Sequence, residues 1–177
     1  MPHALELKYG LTYEELLDAI DKRFRLKVAL EGAVAEVHFE RKLRIASREG
    51  WLTGFESHDV DGMHDFTVIT LSGASIRVEV KTIRKGAKPK VELQKTRAAK
   101  GDPSSRFYDR THFDVVAVCV GRLTGDWSEF RYALVSDLPV HREHLGKLQV
   151  MHSIPDNELS TPRWYSRFQD IIDAYNI

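Results

Sequence analysis

A single cysteine, six prolines and no long apolar run in 177 residues exclude several classes of protein. Cys119 has no second cysteine to pair with and no companion for a cysteine-based zinc motif, so its place in FDVVAVCVG predicts a small buried hydrophobe. A membrane helix needs ~20 consecutive apolar residues, and none is present. The N-terminal MPHALELKYG has neither the basic start nor the apolar stretch of a secretory signal, which points to the cytoplasm. No P-loop is present, so nothing here announces a nucleotide-driven motor. Net charge is zero, with 26 basic and 26 acidic residues, which argues against a polyanion binder acting through bulk charge. What remains is ordinary for a folded protein: 42% hydrophobic and 29% charged residues, no repeat, and a length that predicts one domain over 1–177.

The charge is unevenly placed. Between Lys81 and His112 stand Lys81, Arg84, Lys85, Lys88, Lys90, Lys95, Arg97, Lys100, Arg106 and Arg110, against only Glu92, Asp102 and Asp109. Such a stretch is either a solvated face or a surface that neutralises phosphates.

Periodicity predicts helices first. Thr12 with Glu15 makes a capping box for a helix over 12–24, with Leu16, Leu17, Ile20 and Phe24 at helical spacing. A second helix over about 25–47 carries Leu26, Leu30, Ala33, Val34, Val37 and Leu43, with Gly50 as its stop. Glu36 lies beside that stripe, and Glu40 falls one turn further on. From Trp51 the period becomes two: a strand, a polar loop, then a hairpin whose arms hold Phe66, Val68 and Ile69 and, after Ser72, Gly73 and Ala74, the alternating Ile76 to Lys81. Arg77, Glu79 and Lys81 should share one face, and Ile76, Val78 and Val80 the other. VELQKT reads as a short strand or a helix start, FDVVAVCVG as a central strand and FRYALVSDL as another, giving a sheet over 51–138. The tail, from Thr161 and Pro162, predicts an amphipathic helix over 162–176. The fold class is α/β.

Asp65 heads one hairpin arm, while Glu79 and Lys81 share a face of the other. Two carboxylates and an ammonium therefore come close together, with the Val80 carbonyl between them as a natural third oxygen ligand. Hard oxygen donors beside a cation suit Mg²⁺ and phosphodiester hydrolysis. His58, Asp59, Asp61 and His64 lack the usual histidine spacing of a metal site and read as a polar loop, with Asp61 the runner-up to Asp65. The tryptophans Trp51, Trp127 and Trp164 read as core or interface anchors.

Four features in register, Glu36 inside a helix, the Asp65 strand, Glu79-Val80-Lys81 and Gln94, resemble the PD-(D/E)XK nuclease superfamily over about residues 28–97, without the proline that often precedes the aspartate. The resemblance implies a restriction-endonuclease-like three-layer core with a central mixed β-sheet flanked by helices. It implies metal ligation by Asp65, Glu79, Val80 and Glu36, with Lys81 orienting or activating the water and stabilising charge, Gln94 positioning the site, and Mn²⁺ substituting for Mg²⁺. Beside such a site the basic run becomes a DNA surface, with Arg97, Lys100, Arg106 and Arg110 as contacts, and Arg106 and Arg110 foremost. The expectation is an endonuclease for double-stranded DNA, in restriction or defence, working as a homodimer or with a partner subunit for target recognition. A structure-specific repair or junction-resolving nuclease and a non-catalytic DNA-binding protein are the alternatives.

Overall fold

A computed structural model describes residues 1–84, 86, 88–95, 99–155 and 160–175. Contacts divide the chain into two compact units, Met1–Val34 and Ala35–Ile177. In the first, α1 (Ala4–Tyr9) is capped by His3 and ends at Gly10, and α2 (Tyr13–Asp21) begins on the expected Thr12–Glu15 capping box. Neither helix buries a residue.

Helix α3 (Phe24–Arg48) buries Ala35, Phe39, Leu43 and Ala46, spaced four, four and three. This differs from the stripe read in the sequence: Val37 is 48% exposed, because the bulk of Phe39 sets the buried face. Its ring packs edge-on against Phe66 and Phe168, each 5.4 Å away between centroids. Gly50 terminates the helix as expected, at a left-handed φ of 78° that a side chain would resist.

The central sheet has strand order β1 (Leu52–Ser57), β2 (Phe66–Thr70), β3 (Ser75–Thr82), β5 (Val115–Cys119), β6 (Phe130–Leu134). All neighbours are antiparallel except β3 and β5, so the sheet is mixed. Every residue of β5 is buried, as its unbroken apolar sequence predicts, and Cys119 is fully enclosed. One face packs Ile76, Val78, Val80, Val115 and Ala117 with the α3 residues and Ile171 and Ile172 of a C-terminal helix. Against the other face, Val116 and Val118 meet Val91, Leu93, Tyr108, Leu148 and Trp164. That outer layer includes a ribbon of β4 (Lys90–Glu92) with β7 (Met151–Ser153). A short helix α4 (Gly121–Thr124) links β5 to β6.

The last helix, α5, spans Phe168–Tyr175 rather than 162–176. Tyr165 exchanges backbone hydrogen bonds with Tyr132 of β6 at 2.8 and 2.9 Å, and those groups are then not available to a helix. Trp164 is 1% exposed beside them, and Trp51, at 45%, is no core anchor.

Candidate active site

Alternation on β3 works as the sequence requires. Ile76, Val78 and Val80 enter the core under α3, and Arg77, Glu79 and Lys81 project from the opposite face. The β2–β3 ladder runs as far as Phe66 opposite Val78. One residue beyond, Asp65 Oδ2 accepts the Val80 backbone N–H at 2.7 Å, so a side chain replaces the missing strand partner. Glu79 Oε1 accepts from both Lys81 Nζ and the Tyr108 hydroxyl. The Glu79 side chain is 5% exposed and that of Lys81 23%, so the pair sits at the rim of the core with the ammonium outermost. Lys81 Nζ also lies 5.4 Å from the centre of the Tyr108 ring.

Burial, followed by the neighbouring charge of Glu79, pushes the Asp65 carboxyl up to about 7, with Lys81 and the Val80 N–H pulling the other way. Lys81 is opposed by its own desolvation, yet Glu79, Tyr108 and Asp65 together hold it above the ordinary lysine range. It is therefore an ammonium at every physiological pH. Desolvation also raises Tyr108, which stays a phenol able to donate to Glu79.

No family model matches the sequence, and no curated protein matches it. Among solved structures, the chain is similar to a bacterial homing endonuclease at 16% identity and a TM-score of 0.49, over 84% of this chain and 90% of that one.

Glu36 is exposed on α3, yet the surroundings of its carboxyl raise its pKa by desolvation, with Lys81, Glu79 and Asp59 as the charges acting on it. Its link to the cluster is electrostatic, with no hydrogen bond to Asp65, Glu79 or Lys81 among the described residues. Glu40, one turn on, is instead paired with Arg44 on the helix surface. Gln94 pairs through its backbone with Phe107, which places it on the segment next to Tyr108. Asp61 is exposed in a turn, and Asp65 lies one residue ahead of β2.

Of the four basic residues expected at DNA, Arg97 lies outside the described residues. Lys100 is exposed in a turn, Arg106 directs Nε to the Lys95 carbonyl at 3.2 Å, and Arg110 directs a guanidinium nitrogen to the Ser136 carbonyl at 2.7 Å. The loop before β2 is more ordered than a polar linker: His58 and His64 both reach the Thr67 hydroxyl, at 2.8 and 2.7 Å. The sequence offers Tyr108 only as part of the aromatic and basic run Arg97, Lys100, Arg106, Phe107, Tyr108 and Arg110, not as a partner of Glu79, and it does not single out Lys95 or His112 as site residues. An aromatic interrupting a basic run was the available signal for Tyr108.

Among the described residues, no group of three or more His, Cys, Asp or Glu side chains is gathered as a metal cage. Mg²⁺ does not require one, since it binds through one or two carboxylates and keeps several waters. Asp65 Oδ1 and Glu79 Oε2 each have no protein hydrogen bond among the described residues, and the crowding that drives Asp65 up to about 7 is what a divalent cation relieves. The donor set fits a hard cation.

Proposed function

We propose that this chain is a Mg²⁺-dependent nuclease of the PD-(D/E)XK type that hydrolyses phosphodiester bonds of double-stranded DNA, in the cytoplasm, as part of restriction or defence. The observation that carries this reading is the convergence of Asp65, Glu79 and Lys81 at the point where the β2–β3 ladder ends.

Asp65 and Glu79 would hold the metal with the Val80 carbonyl, and Glu36 would reach it from α3. Bound there, Mg²⁺ supplies Lewis-acid polarisation of the phosphodiester and a water of lowered pKa. The protein's own contribution is mainly fixed charge. Glu79, Tyr108 and Asp65 favour the ammonium form of Lys81, which suits it to charge stabilisation more than to taking a proton from the attacking water. It stabilises the negative charge that builds on the phosphoryl group and orients what lies beside it. Tyr108 and Lys81 both grip Oε1 of Glu79, which leaves the second oxygen pointing one way. This reading expects a homodimer with one site per strand, or a partner subunit that selects the target.

The test uses the full chain with Mg²⁺ or Mn²⁺ on plasmid, linear duplex, single-stranded DNA and a four-way junction. Cleavage should be lost in Glu79→Ala and Lys81→Ala while circular dichroism stays unchanged. Equal activity in those variants would sink the site. Intact substrates combined with tight binding in a gel shift would make the protein a DNA binder without chemistry.

A further inference from the structure

Beside Tyr108, two nitrogen atoms face each other. Lys95 Nζ lies 3.3 Å from His112 Nε2. This looks like a lysine donating to a histidine, but the other ring nitrogen excludes it. His112 Nδ1 accepts the backbone N–H of Asp109 at 2.9 Å. A neutral imidazole has one acceptor nitrogen, and here it is Nδ1. The proton must therefore be on Nε2, where it points at the lysine ammonium. Two donors meet with no acceptor between them. Proton loss by the histidine cannot remedy this, since desolvation and Lys95 already pull its pKa down and the neutral ring is the form described.

The arrangement is held in place. Lys95 N donates to the Arg106 carbonyl at 2.9 Å and Arg106 Nε returns a bond to the Lys95 carbonyl, so the lysine stands on a paired segment. Asp109 lies 3.6 Å from Nδ1 and is paired with Lys147 at 2.8 Å, so it does not fill the gap. Both side chains are only partly buried, and a ligand can reach them. The ring of Tyr108 links the gap to the carboxylates: Lys95 Nζ lies 5.8 Å from its centre and Lys81 Nζ 5.4 Å.

We propose that Lys95 Nζ and His112 Nε2 form a receptor for one phosphodiester oxygen of the DNA strand that enters the Asp65–Glu79–Lys81 site, at a phosphate next to the one attacked. An anionic oxygen is an acceptor for both donors at once, and charge-assisted bonds of this kind are short and strong. The proposal rests on the nuclease reading for the identity of the strand, and its test reads binding alone. Arg106 and Arg110, which the sequence favoured as phosphate contacts, each give one donor group to a backbone carbonyl, whereas the facing Lys95 Nζ and His112 Nε2 meet no acceptor among the described residues.

The experiment uses the full ¹⁵N-labelled chain in EDTA, where cleavage cannot interfere, with a short DNA duplex and, separately, inorganic phosphate as probes. In the free protein, imidazole nitrogen spectra should show His112 protonated on Nε2, and the duplex should shift that signal. Lys95→Gln should flatten the slope of log affinity against log salt by about one charge, ~0.9, since one phosphate contact is removed. His112→Asn keeps an acceptor for Asp109 N–H but loses the outer donor, and it should weaken duplex binding about tenfold. His112→Gln, with an amide at the outer position, should recover most of it. A proton on Nδ1, an unchanged salt slope in Lys95→Gln, or a His112 shift with phosphate but none with duplex would each overturn the receptor. Absent cleavage with these binding results intact would instead refute the nuclease reading and leave the receptor standing.

Discussion

Val80 donates its backbone N–H to the Asp65 carboxylate at 2.7 Å, where Asp65 lies one residue and Val80 two residues past the last pair, Phe66 opposite Val78. The acid that closes the ladder is also the acid crowded by Glu79, and this gives the metal-free protein a pH dependence. Asp65 titrates at about 7 in the folded chain, against 3.8 for an ordinary aspartate. A raised folded pKa means that the folded state binds the proton more tightly, so this contribution is present below pH ~4 and is lost as pH rises through 7. Asp65→Asn should therefore stabilise the metal-free protein at pH 8 by ~1–3 kcal/mol and change little at pH 4, read by thermal unfolding. The same variant should cut at least ~100-fold more slowly with Mg²⁺. A variant that gains no more over the parent at pH 8 than at pH 4 would contradict the burial and crowding of Asp65.

Tyr108→Phe removes one of the two donors on Glu79 Oε1 and leaves the ring in place. A hydrogen bond to a charged group is worth ~1.5–3 kcal/mol, so unfolding in urea should show a loss near the lower figure. The cleavage rate should drop about tenfold through the loosened carboxylate, with KM hardly altered.

Glu36 and Glu40 separate by environment. Glu36→Gln should lower the cleavage rate ~10–100-fold, because the charges of Lys81 and Glu79 act on that carboxyl. Glu40→Gln breaks only an exposed pair with Arg44, and its activity and stability should stay within ~1 kcal/mol of the parent. The reverse outcome would move the helix acid to Glu40.

Phe39 is fully enclosed and touches aromatic rings on β2, β6 and α5. Phe39→Ala should cost ~3–5 kcal/mol in urea denaturation, and it should loosen the helix segment that presents Glu36.

The hairpin was legible because strict alternation allows only one register. A slip by one residue would have put Arg77, Glu79 and Lys81 into the core. Val115 to Cys119 were legible because an unbroken apolar run can only be a strand covered on both faces. Trp164 and Tyr165 were not legible. They have the spacing of a helix, but a backbone bridge to Tyr132, far away in sequence, outweighs local propensity. The opening helix Ala4–Tyr9 was missed because histidine is an unusual cap, although Gly10 marked its end. The Lys95–His112 contact could not be read at all, because nothing in the spacing of the two residues predicts that they meet across Tyr108.

A parallel pair cannot be joined by a tight turn, so the chain must travel from Thr82 to Val115 before it can lay β5 beside β3. Lys95, Arg106, Tyr108 and His112 all lie on that return path, whereas Asp65, Glu79 and Lys81 belong to the hairpin before it. In the proposed nuclease the groups that would cut and those that would grip thus lie in separate stretches of sequence, with Tyr108 reaching from the path to hold Glu79. On that reading, changes of length or composition along the path that keep Tyr108 should alter which nucleic acid is held and leave in place the strands that position the carboxylates.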